Sequence, residues 1–197
     1  MGNRPRRVEP GGIYHYGSRG SDKREIYADP LDHSLWKRLF AREARRHDWI
    51  ILGWVEMPNQ FHVLARIPEL TLSAGMQALN YAYSRRTNAR HGRTQHLFAN
   101  RFWSELIETQ DQLFTAIGYI AVNPYKSDRR IHPRDWPHGS HPAAAGYAHA
   151  PSFLAIGELL SLFHPDPATA RALYRGLVET AMARVDAARS QATAAEL

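Results

Sequence analysis

The clearest pattern in the chain is a two-residue alternation of apolar and polar positions between residues 57 and 67, in the sequence MPNQFHVLARI. Successive side chains of a β-strand point to opposite faces of the sheet, so this alternation predicts a strand with one buried face. Gln60 and His62 fall together on the opposite face, which places two polar side chains close together on an otherwise apolar strand. The buried face is predicted to comprise Phe61, Val63, Ala65 and Ile67.

Three further segments predict strands, because they are rich in aromatic and β-branched residues. They are IYHYGSRG at residues 13–20, WIILGWVEM at 49–57 and RFWSELIE at 101–108. Met57, Pro58 and Asn59 separate the second of these strands from the one that carries Gln60 and His62. A connection that short predicts an antiparallel hairpin.

Apolar residues recur at helical spacing in three segments of the first 130 residues. These helices are predicted from about residue 30 to 46, from 71 or 73 to 92, and from 109 to 122. Pro124 is expected to end the third helix, because proline has no N–H to donate. The buried stripes are predicted at Leu31, Leu35, Trp36, Leu39 and Phe40, at Leu72, Met76, Leu79 and Tyr83, and at Leu113, Ile117 and Ile120.

The order of these elements is β-α-β-β-α-β-α, which is the split βαβ pattern. It predicts an α+β, ferredoxin-like fold with an antiparallel sheet, helices packed on one face and the other face available for a ligand. A chain of 197 residues has room for one main domain of this kind, predicted at residues 1–130.

The remainder of the chain divides into two parts. Residues 131–152 are rich in Pro, His and Ala without periodicity and predict a connecting loop. Four histidines lie there at spacings that match no zinc motif, so we expect them to be solvated. Residues 153–197 predict a C-terminal helical extension of two helices, one over 153–163 and one that begins at Asp166 and buries Leu173, Leu177 and Ala181.

The third predicted helix carries two polar residues outside its apolar stripe. Tyr119 and Asn123 are four positions apart and therefore lie on one face of that helix. Each residue alone has a simpler explanation, since Tyr119 can be a packing residue and Asn123 a helix terminator. His62 alone is likewise typical of a solvated strand position.

Charge and composition narrow the function classes. The chain has 25 basic and 19 acidic side chains, a formal charge of +6, and arginine far outnumbers lysine, which favours an anionic partner, nucleic acid first. The absence of cysteine excludes disulfides, thiolate metal sites and a cysteine nucleophile. No apolar run approaches the ~20 residues that span a bilayer, so we expect a cytoplasmic protein without membrane contact.

Arginines and aromatic residues alternate in the segment from residue 81 to 103. Arginines can contact phosphates and exposed rings can stack on unpaired bases, so this segment predicts a nucleic-acid surface. The alternative is that the rings are core and the arginines a solvated face. The candidate DNA-binding residues are Arg19, Arg85, Arg86, Arg90 and Arg101, with Arg93 in the same segment and Arg4, Arg6 and Arg7 as an extension.

Six blocks of the sequence together resemble the single-tyrosine, HUH-type transposases, and in particular their REP-associated tyrosine transposase branch. In chain order the blocks are IYHYGSRG, IYAD, MPNQFHVLARI, LSAGMQALNYAYSRRTN, RFWSELIE and YIAVNPYKS. The resemblance covers roughly residues 4 to 165. It implies a ferredoxin-like fold, in agreement with the fold predicted from the order of the elements.

The resemblance also implies metal-assisted cleavage and rejoining of hairpin-bearing single-stranded DNA. In such enzymes a tyrosine attacks the scissile phosphate, forms a 5′-phosphotyrosine and releases a free 3′-hydroxyl. The nucleophile position matches Tyr119, and the ligand positions for Mg²⁺ or Mn²⁺ match Gln60, His62 and Asn123. No ATP is required, which agrees with the absence of a GxxxxGK phosphate loop. Such an enzyme would act as a monomer or a homodimer.

One position departs from the family pattern. The family motif has histidine at both strand positions, whereas this chain has Gln60 at the first. A neutral amide oxygen suits Mg²⁺ or Mn²⁺ but is a weaker ligand than an imidazole nitrogen. Two readings therefore stay open, an enzyme with reduced metal affinity or a catalytically impaired or repurposed protein that recognises hairpins without cutting. An RNA-binding sheet is a third reading, but the chain has no aromatic GFGFV-like strand.

Overall fold

A computed structural model describes residues 9–195, and its centre is a four-stranded antiparallel sheet in the order β2-β3-β1-β4. The predicted α+β class and ferredoxin-like sheet are confirmed. Residues Arg4, Arg6 and Arg7 lie outside the described part of the chain. No helix within residues 9–195 is long and apolar enough to cross a membrane. The strands are β1 (Ile13–Arg19), β2 (Ile50–Met57), β3 (Gln60–Arg66) and β4 (Trp103–Ile107).

Helices α1 (Pro30–Arg46) and α2 (Leu72–His91) pack on one face of this sheet. Phe61 of β3 enters this core, where its ring lies 4.8 Å from that of Trp36. The prediction for Leu31 is wrong, since this side chain is 63% exposed. Ion pairs from Asp32 to Arg90 and His91 of α2 hold the first turn of α1, so apolar packing is not needed there.

The second face of the sheet is not left wholly open, which corrects the expectation that helices cover one face only. Leu52, Val55 and Leu64 point to this face and form a second core with α3 (Gln110–Lys126). Two C-terminal helices, α5 (Ile156–Ser161) and α6 (Pro167–Ala195), complete that core. An apolar face needs cover from water, and the C-terminal helices supply it.

The buried stripe of α6 is displaced by one residue from the prediction. Leu173 is 49% exposed, whereas Ala170, Tyr174 and Val178 are buried. Leu177 and Ala181 pack against the same core but are only partly buried. Small and apolar residues occupy two adjacent rows of this helix, so its periodicity alone does not decide which row faces α3.

The start of helix α3 agrees with the prediction from the sequence, but its end does not. Thr109 forms a capping box with Gln112 at the predicted start. The prediction that Pro124 ends the helix is wrong, because the helix continues to Lys126. Proline removes only its own N–H donor, and Ser127 closes the end by bonding to the carbonyl groups of Asn123 and Pro124.

Residues 131–152 pack along the free edge of β2. Gly139 forms a β-bridge to Val55, and the short helix α4 (His141–Ala144) follows directly. The expectation of solvated histidines is wrong for His138, whose ring stacks on His33, and for His141, which is buried and lies 3.1 Å from the hydroxyl of Tyr174. The packing satisfies backbone groups that an uncovered edge strand would expose.

His141 is expected to make the fold sensitive to mild acid. Burial, with smaller effects from His132 and Arg175, lowers the pKa of His141 from 6.5 to about 4. Between these values the unfolded chain binds more protons, so stability should fall as the pH drops from 6.5 towards 4, by on the order of 2 kcal/mol for this group. Urea unfolding at several pH values measures the effect.

His141→Phe should lower the number of protons taken up on unfolding in this pH range by nearly one, and so flatten the dependence of stability on pH. The same change at the exposed His149 should not. An unchanged pH dependence in His141→Phe would contradict the assignment.

Candidate active site

Two histidines meet on the second face of the sheet. Because Gly17 of β1 pairs with His62 of β3, His15 and His62 point to the same face of neighbouring antiparallel strands. Nδ1 of His62 lies 3.3 Å from Nε2 of His15, within reach of a hydrogen bond between them. Burial, reinforced by the neighbouring His15 and Lys126, lowers the pKa of His62 to about 3, and burial lowers that of His15 to about 4. Both imidazoles are therefore neutral at neutral pH.

The ring of Tyr119 lies against both imidazoles, with centroid distances of 5.3 Å to His62 and 5.7 Å to His15. Trp103 of β4 closes the group from the other side, 4.7 Å from the His15 ring and edge-on to it. We call these four residues the His–Tyr cluster. It brings the predicted nucleophile next to one predicted metal ligand.

Gly17 is required for this arrangement. A Cβ atom at this position would lie 2.1 Å from the carbonyl oxygen of Phe61 and 3.1 Å from the ring of Trp103. Only glycine lets β1 and β3 approach so closely while the Trp103 ring lies over the pair.

The other two predicted ligands share a cleft with Tyr119. This cleft has a volume of about 490 Å³ and opens between the β2–β3 hairpin and the end of α3. Gln60, Tyr119 and Asn123 line it, together with Lys126, whose Nζ lies 5.3 Å from the centroid of the Tyr119 ring. Because α3 continues beyond Pro124, Tyr119, Asn123 and Lys126 occupy one face of the helix over two turns.

The donor atoms of this site fit a divalent cation. Nε2 of His62 and Nδ2 of Asn123 are buried without a hydrogen-bond partner among the described residues. A neutral imidazole offers a lone pair, and amide groups such as those of Gln60 and Asn123 offer oxygen when turned towards an ion. Two amide oxygens and one imidazole nitrogen form a set that Mg²⁺ or Mn²⁺ accepts.

Four of the five candidate DNA-binding arginines are exposed without a fixed acidic partner among the ion pairs of residues 9–195. Arg19 lies at the end of β1 opposite Gln60, and Arg85 and Arg86 lie on α2. Arg101 lines a groove of about 610 Å³ between α2 and residues 94–102, which we call the α2 groove.

The aromatic residues of the same segment divide into two groups. Tyr83 is fully buried and donates its hydroxyl to the carbonyl of Ile26 at 2.6 Å, so it is core. Tyr81 lines the α2 groove and is 66% exposed, and Trp103 is 38% exposed. Phe98 also lines this groove but is partly buried, so Tyr81 and Trp103 are the more exposed rings for contact with a nucleic-acid base.

Arg90 is exposed, but its ion pairs tie it to the scaffold. Its guanidinium bonds to the carboxylates of Asp29 and Asp32, the second of which is buried, and thereby joins the end of α2 to the start of α1. The Arg90 side chain also lowers the pKa of Asp29 to about 2.

A family model described as "Transposase IS200 like" matches residues 12–123, more than half of the chain. The chain belongs to the IS200-like transposase family. The match includes Gln60, Tyr119 and Asn123, which line the cleft, and His15 and His62, which pack against Tyr119. It confirms the resemblance to the single-tyrosine transposases drawn from the sequence blocks.

The fold of this transposase-family protein is similar to a solved structure described as the "REP associates tyrosine transposase bound to a REP hairpin". The TM-score is 0.64 at 18% sequence identity, and the likeness covers 79% of this chain and 92% of the other. No curated protein sequence matches the chain.

Sequence reasoning did not single out three residues of this site. His15 stood in a quoted block, but its position opposite His62 depends on strand pairing that the sequence does not state. Trp103 is one of the aromatic residues of the 81–103 segment, and its contacts with the two histidines depend on the pairing of β4 with β1. Lys126 lies beyond Pro124, the residue predicted to end the helix, and shares a helical face with Tyr119 only because α3 continues to Lys126.

Arg101 and Arg90 make a matched pair of predictions. Arg101→Ala should weaken binding to hairpin-bearing single-stranded DNA by about threefold to tenfold and reduce the salt slope by about 0.7, because one phosphate contact is lost. Arg90→Ala should leave DNA affinity unchanged and lower the melting temperature, because Asp32 loses a partner. Fluorescence anisotropy across a salt series and thermal unfolding distinguish the two effects. A loss of DNA affinity in Arg90→Ala together with normal DNA affinity in Arg101→Ala would contradict these roles.

Proposed function

We propose that this protein is a metal-dependent single-strand DNA endonuclease and strand transferase of the REP-associated type, acting on hairpin-bearing DNA. The observation that carries the proposal is that Tyr119 shares one cleft with Gln60 and Asn123 and packs against the ring of His62, in a transposase-family chain. The fold neighbour bound to a REP hairpin supports a hairpin as the substrate.

Tyr119 is the proposed nucleophile. Its phenolic oxygen attacks the scissile phosphorus, the bond from phosphorus to the 3′ oxygen breaks, and that oxygen takes up a proton as the phenol loses one. The product is a 5′-phosphotyrosine and a free 3′-hydroxyl, and the retained bond energy allows rejoining. A phenol with a pKa of about 10 is a poor nucleophile at neutral pH unless neighbouring groups assist it.

The neighbours of Tyr119 provide that help. His15 is a neutral imidazole against its ring, and the ammonium of Lys126 adds positive charge beside that ring. A Mg²⁺ or Mn²⁺ ion held by Gln60, His62 and Asn123 would polarise the scissile phosphate. Holding the ligands and the nucleophile on β3 and α3 fixes their relative positions.

The DNA path follows from the exposed cations. Lys23 and Arg129 line the cleft beside Tyr119, and Arg19 lies at the end of β1 next to Gln60. The α2 groove adds Arg101 with the exposed ring of Tyr81. Such a combination binds phosphates and stacks on unpaired bases.

The decisive experiment incubates purified protein with labelled hairpin-bearing single strands from the DNA flanking its own gene, with Mn²⁺ or Mg²⁺. Denaturing electrophoresis should show a protein-linked labelled band that EDTA abolishes. A strand with the hairpin disrupted is the matched control, and an RNA copy tests the RNA-binding alternative. Tight DNA binding without an adduct under either metal would contradict the enzyme and favour a hairpin-binding protein that does not cut.

Gln60→His is expected to raise the apparent Mn²⁺ affinity about tenfold, because an imidazole nitrogen replaces a weaker amide oxygen. The Mn²⁺ concentration for half-maximal adduct formation measures it. Asn59→His, in the adjacent turn and lining the same cleft, is the control and should change little. An equal gain in both variants would mean that position 60 is not a ligand position.

A further inference from the structure

A second group of potential metal ligands lies on the face of the sheet opposite the His–Tyr cluster. Glu56 pairs with Phe61 and so points to the first face, where it meets His33 of α1 and His138 of the 131–152 segment. Nδ1 of His33 lies 2.7 Å from a carboxylate oxygen of Glu56. One ligand atom from each of the three residues lies within 4.8 Å of the other two. Three elements distant in sequence therefore converge on a space of the size of one ion.

This group is a buried polar site with access from outside. The side chain of Glu56 is fully buried, and its carboxylate also accepts a hydrogen bond from the indole of Trp54 at 3.3 Å. A cleft of about 390 Å³ lined by both His33 and His138 leads to it. Asp29 and Asp135 line the same cleft together with Arg129.

Two buried polar atoms beside the group have no hydrogen-bond partner among the described residues. They are Nδ1 of His138 and the hydroxyl of Tyr27, whose ring stacks on His33 at 4.3 Å. Buried polar groups in folded proteins are nearly always paired. An ion that binds His138, with a water ligand near Tyr27, would supply the partners.

Burial is the largest influence on the protonation of the three groups, and the positive charge of Lys37 acts on all three. Burial lowers the pKa of His33 and of His138 to about 4, which keeps both imidazoles in the form that donates a lone pair. Burial raises the pKa of Glu56 to about 8, against the opposing influence of Lys37. A divalent ion would offset the unfavourable burial of this carboxylate.

We propose that His33, Glu56 and His138 bind one first-row divalent transition-metal ion, Zn²⁺ in preference to Mg²⁺, as a structural site. Two imidazole nitrogens and one carboxylate oxygen are a zinc donor set, whereas Mg²⁺ prefers oxygen alone. The ion would tie the 131–152 segment to α1 and β2. The rings of His33 and His138 are stacked, with an interplanar angle of 7° and 3.6 Å between their centroids. Metal binding therefore requires the half-buried His138 ring to tilt until the lone pairs of both imidazoles point to one ion.

The test is Zn²⁺ binding by full-length protein carrying His62→Ala, which removes a ligand of the candidate active site. After chelator treatment and dialysis, competition with a chromophoric chelator should reveal one equivalent bound at micromolar affinity or tighter, and Zn²⁺ should raise the melting temperature. Co²⁺ in its place should show the visible bands of a low-symmetry, near-tetrahedral ion. Because His62→Ala removes a ligand of the proposed cleavage site, Zn²⁺ binding by this variant does not depend on whether the protein cleaves DNA.

Two further changes in the same background assign the ligands. Glu56→Gln keeps the shape of the side chain and should lose the bound equivalent, as should His138→Ala, whose side chain is only half buried. His149→Ala, an exposed histidine of the same segment, should retain it. Circular dichroism establishes whether each variant is folded. The test needs only one of Glu56→Gln and His138→Ala to be folded. Less than one equivalent in His62→Ala, or an equivalent that persists in a folded Glu56→Gln or His138→Ala variant, would overturn the proposal.

Discussion

Tyr119→Phe is expected to abolish the covalent protein–DNA adduct while leaving the affinity for hairpin-bearing DNA unchanged. Loss of the hydroxyl removes the only atom of this side chain that can attack phosphorus, so strand cleavage should fall by about 10⁴-fold or more, the scale on which the loss of a covalent nucleophile acts. The ring remains and keeps its contacts with His15 and His62. Denaturing electrophoresis measures the adduct, and fluorescence anisotropy measures binding.

Tyr125→Phe is the matched control, because Tyr125 lies on the same helix and differs in its surroundings. Its hydroxyl lies 3.0 Å from the carboxylate of Asp186 on α6, away from the two imidazoles. We expect this variant to form the adduct at close to the normal rate. An adduct that persists in Tyr119→Phe and disappears in Tyr125→Phe would assign the nucleophile to Tyr125 instead.

Local patterns were sufficient to predict much of the fold. The alternation in β3 predicted its buried face because a strand side chain has only two directions. The bounds of α1 matched the prediction because Asp29 accepts hydrogen bonds from the first turn and Pro30 fits the first helical position. Both signals depend on neighbouring residues only, so they do not require knowledge of the tertiary structure.

The missed features depend on contacts between distant segments. Helices α5 and α6, which cover the second face of the sheet, lie after the predicted domain. Arg90 is paired with Asp29, some 60 positions away in the chain. Likewise, nothing local relates His15 to His62, which are 47 positions apart. Spacing rules for metal motifs likewise do not reveal the proposed group of His33, Glu56 and His138, because each residue comes from a different element.

The sequence predicts which candidate site residues lie near one another better than it predicts the surroundings of the arginines. Tyr119 and Asn123 share a helix, and Gln60 and His62 share a strand, so each pair was visible as a local spacing, and the family resemblance joined the pairs. The spacing of the arginines does not predict which of them can contact DNA, because that depends on the exposure and the ion pairs of each side chain in the fold. Arg90 and Arg101 look alike in the sequence and have different surroundings in the fold.

His62→Ala is expected to reduce metal-dependent cleavage by about 100-fold or more at a fixed Mn²⁺ concentration. Loss of a partner that only orients a ligand typically lowers metal affinity by about 10- to 100-fold, and His62 is the one proposed imidazole ligand of the site. Part of the activity should return at high Mn²⁺ concentration, because the defect is in binding of the ion. Hairpin affinity measured in EDTA should remain, which shows that the fold is intact.

His15→Ala tests whether the effect is specific to a ligand. His15 contacts His62 through a ring nitrogen and lies against Tyr119, so its loss should weaken catalysis less, by about tenfold, through the orientation of the His62 ring. Equal losses that high Mn²⁺ does not restore in either variant would mean that the two histidines act on the phenol proton and not on the metal. A His62→Ala protein that cleaves normally would remove His62 from the ligand set and leave Gln60 and Asn123 too few to hold the ion.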